Sequence, residues 1–172
     1  MRRLAPRETK LLAEPLRRLD QDGVFEGYAS LFNVADLGRD IVMPGAFQAS
    51  LARRGAAGIR MLWQHDPAEP IGRWLHVAED GRGLCVRGRL NLAVERAREI
   101  HALMREGAVD GLSIGFRVVR ARPERGTRRL EALDLWEISL VTFPMLPGAR
   151  VSAVKGAGLA DAIRRSTARL FA

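Results

Sequence analysis

Asp110-Gly111-Leu112-Ser113-Ile114-Gly115-Phe116 reads as the opening of a β-strand. Leu112, Ile114, Phe116 and Val118 alternate with Ser113, Gly115 and Arg117, the two-residue period of a strand with one buried face. The opposite face carries Ser113 with Gly111 and Gly115 two residues to either side. Glycines there are expected to leave the hydroxyl clear of side chains, so that another backbone, such as a substrate's, can come close. Ser113 is therefore a candidate nucleophile. Gly111 to Gly115 also spell GxSxG, but the strand runs on through Phe116-Arg117-Val118-Val119. The strand-to-helix turn of a nucleophile elbow is missing, which excludes an α/β-hydrolase.

Working outward, strands are expected over 24–32, 40–43, 59–64, 71–78, 84–92, 111–122 and 130–143, with a hairpin turn over 79–83. Pro44 opens a first helix in which Phe47 and Leu51 share a face, and Gly55 and Gly58 end it. Residues 93–106 form the clearest helix, with Val94, Ala97, Ile100 and Met104 at helical spacing and Gly107 at its end. About seven short strands and two main helices predict an α+β fold on an antiparallel, barrel-like bent sheet. Residues 1–20 are expected to be a basic arm, 21–154 the folded domain, and 155–172 a basic tail that could form a short amphipathic helix.

The 172 residues suffice for one domain with a real core, and no apolar run is long enough to span a bilayer. The basic N-terminus lacks the apolar stretch of a secretory signal. A single cysteine, Cys85, excludes an internal disulfide framework and suits a reducing cytoplasm. No base or helix N-terminus accompanies Cys85, which makes it a poor nucleophile. The net charge of +8 admits a polyanionic partner. Its arginines are scattered along the chain without an aromatic platform, which counts against nucleic acid. No closely spaced pair of His or Cys ligands and no phosphate loop occurs, so neither metal nor cofactor is expected.

A serine nucleophile needs a base, and the chain has three histidines. His101 lies on the long helix and His76 among Trp74, Leu75 and Val77, where packing is the default role. His65 is set apart: in Trp63-Gln64-His65-Asp66-Pro67 it ends a strand where a loop is expected to begin, a common place for reacting groups. A third group is suggested by Glu137, a carboxylate inside the apolar strand Leu135-Trp136-Glu137-Ile138-Ser139-Leu140-Val141. Burying it without a partner would be costly. An imidazole whose tautomer it fixes would serve, and so would an arginine; Asp66 and Asp134 are weaker candidates for the same task.

Five blocks together resemble the prohead maturation proteases of tailed phages and of phage-like gene-transfer particles, a family akin in fold to the herpesvirus assemblins. They are Phe25-Glu26-Gly27-Tyr28-Ala29-Ser30, Asp40-Ile41-Val42-Met43-Pro44-Gly45-Ala46-Phe47, and Leu62-Trp63-Gln64-His65-Asp66-Pro67 followed by Pro70-Ile71-Gly72. The last two are Gly111-Leu112-Ser113-Ile114-Gly115-Phe116 and Glu137-Ile138-Ser139-Leu140-Val141-Thr142-Phe143-Pro144. The resemblance implies a serine endopeptidase with Ser113 as nucleophile and His65 as general base. Assemblins use a second histidine on a later strand as the third member. No histidine follows Ser113 here, so Glu137 takes that place.

The resemblance further implies that the substrates are the major capsid protein and scaffold segments, cut within assembling proheads in the bacterial cytoplasm. It also implies self-cleavage, allows a homodimer, and puts oxyanion donors in the loop around 145–150. Two other readings compete: a protease-like domain kept as an inactive structural or scaffolding component, and a basic nucleic-acid-binding β-barrel. The paired Ser113 and His65 favour the enzyme.

Overall fold

The computed structural model describes residues 21–152; the expectations for the basic arm 1–20 and the tail 155–172 lie outside them. In chain order the elements are β1 (Val24–Leu31), β2 (Asp40–Val42), α1 (Gln48–Arg54), β3 (Arg60–Trp63), β4 (Asp66–Glu79), β5 (Gly83–Leu90), α2 (Glu95–Arg105), β6 (Gly111–Glu124) and β7 (Thr127–Val141). Among the described residues the fold is α+β, with two α-helices, a single 3-10 turn at Ala56–Gly58 and seven strands in one bent sheet.

β1, β5, β4 and β3 pair in that order, all antiparallel, and β6 and β7 form a long hairpin. The sheet is nevertheless mixed rather than purely antiparallel: β2 and β3 both run parallel to β7, beside its first and second halves. Hairpin neighbours must be antiparallel, but β2 and β3 are joined by a crossover containing α1 and can run the same way. Their partner β7 lies far along the chain, so nothing local announces the pairing.

The chain after β7 closes the sheet on itself. Leu112 N–H donates to Ala149 O (2.9 Å) and Val151 N–H to Asp110 O (2.8 Å) on the β6 side. Tyr28 N–H donates to Arg150 O (3.1 Å) and Ser152 N–H to Glu26 O (3.0 Å) on the β1 side. Residues 149–152 thus act as a short strap between β1 and β6, which removes two open edges.

A bulge in β7 sets which side chains face the core. Phe116 pairs with Leu135 and Gly115 with Glu137, leaving Trp136 as the extra residue, bowed outward and 43 % exposed. Such an insertion shifts the two-residue alternation by one. Leu133, Leu135, Ile138 and Leu140 therefore all lie on the side of Leu112, and all are buried. Asp134, Glu137 and Ser139 lie on the other side, with Ser113, Gly115 and Arg117. The core continues through Phe25, Phe47, Met61, Ile71, Leu84 and Ile100, with Phe25 edge-on to Trp74 at 5.7 Å between ring centroids.

Helix α1 is tied to this framework at its start and through its first turn. Glu79 at the end of β4 accepts from the N–H groups of Gly45 (2.9 Å) and Phe47 (2.7 Å), which supplies the cap that the start of α1 otherwise lacks. Ser50 Oγ donates to Leu135 O (3.2 Å) and accepts from Leu135 N–H (2.9 Å), pinning the helix to β7 next to the bulge.

Candidate active site

The polar side of the β6–β7 hairpin holds a two-by-two arrangement. Ser113 stands opposite Ser139, and Gly115 opposite Glu137. Gly115 is required by its neighbour, because a Cβ there would lie 2.0 Å from Glu137 Oε1. The Glu137 carboxylate leans across the backbone of β6 into that space. Gly111 is likewise filled from within, since a Cβ would meet Val141 O at 2.5 Å and the Pro144 ring at 2.8 Å. Both glycines admit parts of this same molecule, where the sequence suggested an approaching substrate. For the same reason Ser113 is not an open hydroxyl: it is buried, with 7 % of its surface accessible.

His65 reaches this ladder from the turn between β3 and β4. The expected loop is absent. Trp63 pairs with Asp66, so Gln64 and His65 alone make the turn, at φ of 52° and 61°. Positive φ at both central residues is the signature of a type I′ hairpin turn, which normally takes Asn or Gly. Left-handed backbone at two residues with side chains costs about 1–2 kcal/mol each and must be held by its surroundings. The second half of β7 and the residue after it hold it. Gln64 N–H donates to Leu140 O (3.0 Å), Gln64 Nε2 to Thr142 Oγ1 (2.8 Å), and His65 N–H to Ser139 Oγ (3.1 Å).

From this turn the imidazole bridges the two partners. His65 Nδ1 lies 2.6 Å from Glu137 Oε1 and Nε2 lies 2.9 Å from Ser113 Oγ. With the Nδ1 proton donated to the carboxylate, Nε2 is the acceptor for the serine hydroxyl. The hydrogen bond with Glu137 raises the His65 pKa above its ordinary 6.5; burial works against this, and the carboxylate charge adds to the rise. Glu137 is 4 % exposed and its partner is the imidazole rather than an arginine. Its second oxygen accepts from Ser139 Oγ at 2.6 Å.

The other candidates lie elsewhere. Asp134 is paired with Arg53, Arg54 and Arg117 at the α1 contact, and its pKa is lowered chiefly by the Arg54 hydrogen bond. Asp66 accepts from Ala68 N–H (2.8 Å). His76 is half-buried in β4 and His101 lies on α2. Cys85 is fully buried, and burial pushes its thiol up to about 12. Among the described residues no group of His, Cys, Asp and Glu could hold a metal ion, and no helix is long and apolar enough to cross a membrane.

Two hollows flank the Ser113–His65 pair. A cleft of about 700 Å³ beside His65 and Glu137 is walled by Arg60, Leu62, Pro67, Pro70, Phe116 and Trp136. A smaller one of about 180 Å³ beside Ser113 is lined by Leu31, Val34, Asp36, Met145 and Leu146, among others. The arrangement suits attack by a hydroxyl whose proton passes to a carboxylate-oriented imidazole, next to space for an extended chain.

Residues 13–160 match the family described as caudovirus prohead serine protease. The chain belongs to this prohead protease family. It is 38 % identical over 150 residues to the prohead protease of Enterobacteria phage HK97, covering 84 % of this chain and 65 % of that protein. It is 31 % identical over 144 residues to the capsid polyprotein of Pseudomonas phage PAJU2, covering 79 % of this chain and 20 % of that one. The chain thus spans less than two thirds of either relative. The fold is that of the bacteriophage T4 capsid assembly protease (TM-score 0.56, 14 % identity, 70 % of this chain and 82 % of that one). It is also that of the KSHV protease, solved with a hexapeptide phosphonate inhibitor (TM-score 0.53, 12 % identity, 84 % and 69 %). This prohead protease chain therefore carries the herpesvirus-protease-like fold that the sequence blocks implied.

The missed residue in the site is Ser139, which contacts both His65 and Glu137. A signal for its face was present. The aliphatic residues in Leu133-Asp134-Leu135-Trp136-Glu137-Ile138-Ser139-Leu140 are spaced two, three and two apart, with Trp136 as the extra residue, the mark of a bulge that puts Glu137 and Ser139 on one side.

Proposed function

We propose that this chain is a serine endopeptidase that cleaves capsid and scaffold protein during phage prohead maturation. The observation that carries the proposal is the continuous hydrogen-bonded line from Ser113 through His65 to Glu137, in a member of the prohead protease family. Ser113 Oγ attacks a peptide carbonyl as His65 Nε2 takes its proton. His65 then delivers that proton to the leaving amine as the C–N bond breaks, and water hydrolyses the acyl-enzyme by the same route. Glu137 holds the imidazole tautomer and stabilises imidazolium. Backbone N–H groups within 145–150, of which Met145 and Leu146 border the hollow beside Ser113, are the proposed oxyanion donors. The protease domain spans 21–154, works inside assembling proheads in the host cytoplasm, and acts as a homodimer.

Co-expression with the cognate major capsid protein tests the activity. Wild-type chain should shorten the capsid protein. Ser113→Ala should leave it intact, since loss of such a nucleophile costs on the order of a million-fold. Processing by the Ser113→Ala variant would exclude Ser113. Sedimentation of the purified chain tests the dimer.

A further inference from the structure

We infer that Ser139 is a positioning residue of the site, fixing the base and its carboxylate relative to each other through one hydroxyl. This deepens the proposed function and rests on the reading of Ser113 as nucleophile. Ser139 is completely buried and lies directly opposite Ser113 in the β6–β7 ladder. Its Oγ accepts from His65 N–H at 3.1 Å and donates to Glu137 Oε2 at 2.6 Å. The first bond holds a turn that two left-handed side-chain-bearing residues make unfavourable. The second occupies the carboxylate oxygen that His65 does not use. This leaves Oε1 aimed at Nδ1, in a pocket that Gly115 keeps open.

A hydrogen bond to either partner alone would be ordinary for a buried serine. Joining the backbone of the base to the side chain of the acid is a different task. It sets the distance and the angle between two groups, one carried on the β3–β4 turn and the other on β7. Without the hydroxyl the carboxylate is free to rotate and the turn to relax, and Nε2 is no longer held on Ser113. Misplacement on the scale of 1 Å costs on the order of 100-fold in rate.

The test uses the full chain and a fluorophosphonate probe, which needs no knowledge of the natural substrate. Ser113 Oγ forms a bond to phosphorus, the P–F bond breaks, fluoride leaves and His65 takes the hydroxyl proton. Ser139→Ala should react roughly 10- to 100-fold more slowly at saturating probe, with the half-saturating concentration unchanged. The acid limb of its pH–rate profile should move to lower pH, as the His65–Glu137 bond loosens. The charged groups facing that cavity, Glu137 and Arg60, are the same in both proteins. In a Glu137→Gln background the same change should cost clearly less than in the wild type, because the hydroxyl then still holds the turn through His65 N–H but has no carboxylate to hold.

Ser139→Cys, which keeps the volume but is a weak donor, should also be slow and guards against a packing defect in the alanine variant. A wild-type rate in Ser139→Ala overturns the inference while leaving the nucleophile reading intact. An equal loss in the Glu137→Gln background overturns it too, since the hydroxyl would then act apart from the carboxylate. Labelling of Ser113→Ala, or none of the wild type, removes the nucleophile reading and the inference with it.

Discussion

Gly115 stands opposite Glu137 on the adjacent strand, and a side chain at Gly115 would begin 2.0 Å from the carboxylate that holds His65. The glycine therefore works as a slot for the acid. Gly115→Ala should push the carboxylate away from Nδ1 and slow Ser113 acylation on the order of 100-fold, with a stability loss of about 1–3 kcal/mol from the added carbon. Fluorophosphonate labelling rates and urea unfolding together check this. A wild-type labelling rate would mean that the carboxylate has another way to reach the imidazole.

His65 should govern the acid side of the pH–rate profile. Its pKa is raised above 6.5, first by the hydrogen bond with Glu137. A base works only when neutral, so activity should be low at pH 6 and rise through a midpoint above 6.5. Glu137→Gln removes the carboxylate; the midpoint should then fall to lower pH while the plateau drops by roughly 10³- to 10⁴-fold. Among the charged groups of that cleft, Arg60 remains in both proteins and cannot produce the shift. A midpoint unmoved by the substitution would take the raised pKa away from Glu137.

Glu79 offers a stability test away from the chemistry. Glu79→Ala strips the acceptor from the N–H groups of Gly45 and Phe47 at the start of α1. The expected cost is about 1–2 kcal/mol in urea unfolding, with the labelling rate of Ser113 unchanged. An unaltered unfolding midpoint would show that water caps the helix equally well.

Cys85 should be silent. Its thiol is fully buried, donates to Ala78 O at 3.1 Å and is pushed up to about 12. A thiol reagent at pH 7.5 should leave the folded chain untouched and react fully in denaturant. Cys85→Ala should keep wild-type processing of the capsid protein. Rapid modification of the folded chain would place Cys85 at an accessible position and contradict the fold around β5.

Much of this site was legible in the amino-acid sequence because its signals are local. Alternation in 111–118 marks a strand with Ser113 on its polar face, and helical spacing in 93–106 marks α2. A carboxylate among Leu135, Trp136 and Ile138 demands a partner wherever it is buried, so its sequence context alone marks Glu137. The sequence blocks also pointed to the prohead protease family, to which the chain belongs. Boundaries near proline were less legible. Pro67 suggested a loop after His65, whereas β4 starts at Asp66 and the loop shrinks to a two-residue turn.

What only the tertiary structure decided are relationships between residues far apart in the chain. Parallel pairing of β3 with β7 brings the turn at 64–65 beside Ser139, and the β6–β7 hairpin brings Ser113 and Gly115 to the same place. Which carboxylate His65 meets, and why the glycines are glycines, follow from those registers. The bulge at Trp136 decides the face of Glu137 and Ser139 by adding one residue to one strand. Periodicity depends on neighbours two to four residues apart and can be read along the chain. A hydrogen bond such as that between His65 and Glu137 spans 72 positions. It exists only once burial of the common core has fixed the strand registers, and with them the side chains that share a face.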